Sequence, residues 1–319
     1  QYSIDIFGKF TIAQTIFFII YSISFSNIHY YLNKSLSSNF QNRRKDLASC
    51  FIITFYSSVF LYLILSVIVA FMELESDLKN AILLLNLILL SQPFAIFHSE
   101  IFVRGQFSTL FKIRLIQNII FFTIKIYIIY NKLDYLYLAF TYFLENLFFS
   151  SVIIYYFKKN GNNFKNLIFS KTHTINILKK IILFPLLAFA FLISMRIDVL
   201  MISSLLGVES SGYYSANSRI ITIILLFGTH FFQFIYPNLN RINYDQKKFN
   251  EIYTGIILLS SIVGISCFMS SLIFGKYYLN LFGPEFLVGL DSLKLLSFNV
   301  GIALIINVWV HKQYLNSKY

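Results

Sequence analysis

Long runs of apolar residues, separated by short polar stretches, recur along the chain. A bilayer core about 30 Å thick takes about 20 mostly apolar residues in a helix. Runs of that length predict nine membrane-spanning helices, over 11–31, 47–72, 80–103, 112–131, 135–157, 181–206, 212–237, 252–274 and 292–311. The runs are continuous and lack the period-two alternation of a membrane strand. A helix also satisfies its backbone hydrogen bonds internally, where lipid offers no partner.

The polar stretches alternate in charge. One set carries Lys34, Arg43, Arg44 and Lys45; then Arg104, Lys112 and Arg114; then Lys158, Lys159, Lys165, Lys171, Lys179 and Lys180; then Arg241, Lys247 and Lys248; and last Lys312 and Lys318. The opposite set has only Lys9, Lys79, Lys132 and Lys276, and collects the acids Asp5, Glu73, Glu75, Asp77, Asp134, Glu209, Glu285 and Asp291. The excess of Lys and Arg on one side predicts that side to be cytoplasmic. A miscounted span would invert every later loop, so the unbroken alternation supports the count.

Composition agrees. The 319 residues are 57% hydrophobic and 13% charged, against roughly 45–50% and about 25% in soluble domains. The formal net charge of +12 would point to nucleic acid in a soluble protein. Here it follows from topology, and no nucleic-acid partner is expected. Cys50 and Cys267 lie in apolar runs and predict no disulfide. The five His are scattered without metal-ligand spacing, and no metal or cofactor is expected. No phosphate-binding glycine loop or nucleophile elbow is present. No secretory signal opens the chain, and both ends read as cut.

A repeat ties the two halves. Gly8-Lys9-Phe10-Thr11-Ile12 and Gly212-Tyr213-Tyr214-Ser215-Ala216 each open an apolar run, at an offset of 204 residues. Both copies enter the membrane from the same side, as in the parallel repeats of some secondary transporters. The expected layout is an N-terminal helical bundle over 1–157, a basic cytoplasmic linker over 158–180, and a C-terminal bundle over 181–319. With six helices per half, these are the second to the tenth of twelve spans.

Several charges fall at membrane depth, where they usually face a cavity or a partner. They are Lys125, Arg196, Arg219 and Lys294 among cations, and Glu145 and Asp198 among acids; His98 and Glu100 lie near Arg104 at a span end. One reading makes them internal pairs, such as Lys125 with Glu145 and Arg219 with Asp198, with Lys294 reaching for the interface. The other makes the cationic excess a seat for an anion such as phosphate or diphosphate, with the acids coupling ions. Pro93 and Pro185 can kink their helices. His29, His230 and His311 read as interfacial.

The stretch Arg196-Ile197-Asp198-Val199-Leu200-Met201-Ile202-Ser203, then Leu206-Gly207, Gly212-Tyr213-Tyr214-Ser215-Ala216 and Tyr236-Pro237, resembles the Wzx-type (O-antigen) polysaccharide flippase family of the multidrug/oligosaccharidyl-lipid/polysaccharide exporter superfamily. Leu281-Phe282-Gly283-Pro284-Glu285-Phe286 and the opening Asp5-Ile6-Phe7-Gly8-Lys9-Phe10 resemble loops of the same family. The resemblance implies an all-α polytopic protein of two pseudo-symmetric six-helix bundles around a central cavity. It implies translocation of an undecaprenyl-diphosphate-linked oligosaccharide, the repeat unit of O-antigen or capsule, by alternating access driven by an ion gradient. On that footing Arg196, Arg219, Lys125 and Lys294 are candidates to hold substrate, and Asp198 and Glu145 candidates for coupling. The implied setting is the bacterial cytoplasmic (inner) membrane. The implied partners are the lipid-linked oligosaccharide, membrane lipids, and a polysaccharide polymerase or chain-length regulator.

The main alternative is a multidrug or small-molecule exporter of the same fold. Exporters of organic cations usually need acidic cavities, the opposite of this excess. A membrane glycosyltransferase or polymerase typically carries a large outer loop. No such loop is present, so no enzyme activity is expected.

Overall fold

A computed structural model describes the backbone of residues 3–25, 28–38, 42–161, 164, 167–242 and 246–316, without the side chains of 38, 227–247, 249, 307 and 310–316. Of the residues singled out above, Lys165 and Lys318, and the side chains of His230, Tyr236, Pro237, Arg241, Lys247, His311 and Lys312, lie outside the described residues.

Every regular element among the described residues is helical. In order they are α1 (Ile4–Ile23), α2 (Ile28–Ser38), α3 (Arg43–Phe71), α4 (Ser76–Asn86), α5 (Ile88–Ala95), α6 (His98–Val103), α7 (Phe107–Tyr130), α8 (Tyr135–Lys159), α9 (Lys171–Ile181), α10 (Leu183–Leu206), α11 (Val208–Ile242), α12 (Gln246–Asn280) and α13 (Leu290–Asn316), with a 3₁₀ turn at Pro284–Gly289. Eight stretches among the described residues are long and apolar enough to cross a membrane. They match eight of the nine expected spans. The expected span 212–237 lies within α11, whose side chains from 227 on are outside the described set. The protein is an all-helical, polytopic membrane protein.

Boundaries differ where local chemistry breaks or extends a helix. The expected span 11–31 begins earlier, at Ile4, and α1 stops at Ile23. Ser22 and Ser24 hydroxyls donate back to the carbonyls of Ile19 and Tyr21, both at 2.6 Å. Such bonds compete with the backbone ladder, and Phe25 takes a left-handed φ of 59°. Pro93 lacks an amide donor and crowds the preceding turn. There the ladder tightens to three-residue steps, Leu87 N to Leu84 O at 3.3 Å and Leu90 N to Leu87 O at 3.0 Å, which separates α4 from α5. Pro185 stands in the first turn of α10, where a helix needs no amide donor, and the break from α9 falls just before it. Gly207, at φ 90°, supplies the left-handed turn between α10 and α11 that a side chain would resist. Asp134 caps α8 by accepting from Leu136 N at 2.9 Å, and Lys158 and Lys159 close it against the helix dipole.

The chain divides into two compact units, one of residues 9–205 and a smaller one of 3–8 with 206–319. In the larger unit α8 packs on α4, α5 and α7, and α9 lies on α3. Its core of Leu32, Leu47, Phe97, Ile101, Phe149, Ile153, Phe157 and Ile177 gathers at the basic-loop end. The basic stretches 43–45, 104 and 158–160 meet there. Buried Glu100 accepts from Arg43 Nε at 2.7 Å and Arg104 Nη2 at 2.9 Å, and Arg104 Nη1 donates to Asn160 O at 3.4 Å. At the acidic-loop end Lys9 pairs with Glu75 at 2.6 Å. In the smaller unit α12 and α13 pack closely, with a core of Ala216, Ile256, Leu279, Phe286, Leu293 and Val300.

The repeated glycines take part in a reciprocal contact within the smaller unit. A Cβ on Gly8 would overlap the carbonyl of Val208, and one on Gly212 would lie 2.6 Å from the carbonyl of Ile4. From Ile4 to Val208 is the same 204-residue offset as from Gly8 to Gly212. Each glycine thus admits the backbone one turn before its counterpart, a close approach that only glycine permits.

Candidate functional site

Lys125 and Glu145 face each other from α7 and α8. The ammonium is 2.5 Å from the carboxylate and 3.7 Å from the centre of the Tyr142 ring. They line a shallow pocket of about 400 Å³ with Asn118, Ile119 and Phe122. Of the two readings of this pair, the structure shows an internal ion pair. Its charges cancel, and a third group, the ring, shields the cation.

Arg196 and Asp198 both lie in α10 and are half-buried. Arg196 stands over the Phe18 ring at 5.3 Å and has no ion-pair partner among the described residues. Asp198 Oδ1 accepts from the neighbouring Val199 N at 2.8 Å. In the smaller unit Arg219 stands over the Phe7 ring at 4.7 Å. Lys294 pairs with Asp291 one turn before it at 2.9 Å, and Asp291 is 92% exposed. Lys294 therefore sits at an open helix start, as an interfacial lysine would.

The larger unit also holds a polar cavity of about 260 Å³, lined by Tyr21, Phe25, Ile28, His29, Thr54, Gln92, Ala95, Ile96, His98, Arg114 and Phe149. Seven helices supply it: α1, α2, α3, α5, α6, α7 and α8. Arg114 is the residue the sequence misplaced. The basic-loop reading began this span at 112, but α7 begins at Phe107. At about 1.5 Å per residue, Arg114 lies ~10 Å inside the helix. The apolar residues Phe107, Leu110 and Phe111 were the signal for the earlier start. Likewise His29, read as interfacial, lines the cavity beside His98, their rings 5.6 Å apart.

The cavity's chemistry is one-sided. The Arg114 guanidinium stacks on Phe149 at 3.4 Å and gives one N–H to Gln117 Oε1 at 3.2 Å. It has no ion-pair partner among the described residues. The Ser24 and Ser58 hydroxyl oxygens lie 2.7 and 3.3 Å from the side-chain amide of buried Gln92, and Ser24 gives its own proton to Tyr21 O. His98 Nδ1 donates to Ala95 O at 2.8 Å, since a carbonyl can only accept. No carboxylate lines the space. Of the nearby acids, Glu100 binds two arginines, and Glu145 pairs with Lys125 while its charge also acts on Arg114.

The family model described as "Polysaccharide biosynthesis protein" matches residues 7–287. No curated protein and no solved structure matches the chain. With most of its length matched and its apolar helices built to cross a membrane, the chain belongs to the polysaccharide biosynthesis protein family.

Proposed function

We propose that this protein is a flippase and not an enzyme. It moves an undecaprenyl-diphosphate-linked oligosaccharide, an O-antigen or capsule repeat unit, from the cytoplasmic to the outer leaflet of the bacterial cytoplasmic membrane. It works by alternating access, driven by an ion gradient. The observation that carries this reading is positive charge within the membrane-spanning helices α7 and α10 that makes no ion pair among the described residues. Arg114 and Arg196 each rest on an aromatic ring and have no ion-pair partner among the described residues. An uncancelled cation in a low-dielectric setting is costly. A diphosphate offers the negative charge that offsets the cost, and arginine's planar fork suits phosphate oxygens. An exporter of organic cations would need the opposite sign.

The test is genetic. In a strain lacking its polysaccharide flippase, the gene encoding this chain should restore surface polysaccharide. Arg196→Ala should reduce the rescue while membrane insertion stays intact. Drug resistance without any polysaccharide rescue would overturn the proposal in favour of the exporter.

A further inference from the structure

The structure assigns to His173 the role of a proton-dependent latch, which docks α9 on α3 at the basic-loop end of the larger unit and through α9 holds α10. The latch stands on its own geometry. What its release does for transport rests on the flippase reading.

The sequence gives α9 one side to bury, since His173, Thr174, Ile177 and Ile181 recur at helical spacing. Ile177 and Ile181 enter the core that Leu47, Cys50 and Ile53 of α3 share. The first turn of α9 meets α3 through polar groups instead. The Thr174 and Ser49 hydroxyls lie 2.9 Å apart. His173 Nε2 lies 2.6 Å from Asp46 Oδ1, and Ser35 on α2 donates to Asp46 Oδ2 at 2.5 Å. Asp46 is only 2% exposed. A buried carboxylate is costly unless it is hydrogen-bonded and paired with a positive charge. Ser35 brings a hydrogen bond without charge. His173 brings both, but its positive charge exists only when both ring nitrogens carry a proton. The imidazole side chain keeps 26% of its surface exposed, so water can protonate it where it stands.

The other charged groups on the three elements that meet here do not switch. They are Lys34 on α2, Arg43, Arg44 and Lys45 on α3, and Lys171, Lys179 and Lys180 on α9. Lysine and arginine keep their charge across the interval in which a histidine titrates, and Arg43 is engaged with Glu100. Tyr31 on α2 and Cys50 on α3 also feel Asp46, but a phenol and a buried thiol stay neutral in that interval. His173 is therefore the group whose charge changes at this contact. Its proton adds an ion pair to the docked state alone, so docking is tightest at acid pH and loosens as pH rises. The consequence reaches α10. Among the described residues of α10, Pro185 and Val199 are the buried ones, and the chain passes from α9 into α10 through Ile182 in helical conformation. The docking of α9 is thus the firmer hold on this stretch. Its release frees α10, which carries Arg196.

The test uses the full chain in nanodiscs and reads backbone hydrogen exchange of the peptide spanning α9. It compares about pH 5 with about pH 8, either side of histidine's ordinary titration, each rate taken relative to the intrinsic exchange at that pH. Protection of α9 should fall roughly tenfold at the higher pH, the worth of a hydrogen bond to a charged group, while α12 in the smaller unit keeps its own. His173→Gln keeps a polar side chain without the charge, so it should remove the pH response and leave α9 weakly protected throughout. His173→Lys supplies a charge that does not titrate in this interval, so it should hold α9 docked at both pH values. A histidine with a packing role alone would not produce that split. His29 and His98 also titrate, so a pH response that survives His173→Gln overturns the inference. Equal protection of the wild-type chain at both pH values overturns it too. Should both His173 variants fail to fold, Asp46→Asn decides: it removes the carboxylate the proton serves, and the pH response should vanish with it. The two proposals fail separately. A chain that restores polysaccharide while its α9 ignores pH sinks the latch and spares the flippase. A chain whose α9 responds through His173 yet never restores polysaccharide does the reverse.

Discussion

Replacing Glu100 with Gln removes the negative charge that Arg43 and Arg104 share. The Glu100 side chain is 1% exposed, and its two oxygens take charged donors at 2.7 and 2.9 Å. A hydrogen bond to a charged group contributes about 1.5–3 kcal/mol. Breaking a buried pair by removing one partner costs about 3–5 kcal/mol, because the remaining charge is stranded. Here the arginines keep some water, at 20% and 35% exposure, so the lower end applies, about 3 kcal/mol. For a unit of this size, 1 kcal/mol moves the midpoint by about 2–4 °C, so Glu100→Gln should lower it by about 6–12 °C. Cys50 supplies the assay. It is fully buried in the core of the same unit, so a thiol-reactive dye reports its opening on heating, in a Cys267→Ala background. The second arm is a double-mutant cycle. Adding Arg43→Gln removes one stranded cation, so the double variant should be less destabilised than the two single losses summed, by at least about 1.5 kcal/mol. A midpoint shift under about 2 °C, or strict additivity, would refute the claim that Glu100 ties α3 to the α6–α7 turn electrostatically.

Other substitutions test packing and pairing. Gly264→Ala should destabilise the smaller unit by about 1–3 kcal/mol, because its Cβ would overlap the backbone of Gly301 on α13. Gly301→Ala should cost less, since its Cβ would sit 3.2 Å from Gly264 Cα. Both are read by Cys267 reactivity in a Cys50→Ser background, and equal costs would refute the asymmetry. Gly212→Ala should also accelerate Cys267 labelling, because the new methyl would lie 2.6 Å from the Ile4 carbonyl; an unchanged rate would mean that the contact is loose. Lys125→Met and Glu145→Leu should each lower the midpoint reported by Cys50. The double variant should recover most of the loss, since an ion pair replaced whole by apolar groups is often neutral. Failure to recover would show that Lys125 or Glu145 has a further role of its own.

Much of this protein could be read along the chain, because the membrane imposes a local requirement. Each span must be apolar over about 20 residues and must satisfy its own backbone, so runs such as 47–72 and 135–157 announce α3 and α8 without help from distant residues. The alternation of basic and acidic loops is equally local. The glycine repeat at 8 and 212 was visible too, but not that its members would open a reciprocal backbone contact. That needed the two segments side by side. Pairing was decided only in three dimensions. Lys125 meets Glu145 from the next helix, and Glu100 gathers one arginine 57 residues upstream and another four residues downstream. The same holds for the cavity. Arg114 looked like a loop cation because charge ends an apolar run in sequence. In the fold, Arg114 stacks on Phe149 and shares a cavity with Gln92 and His98 that seven helices line, and only that convergence shows that it lies inside the bundle and not in a loop.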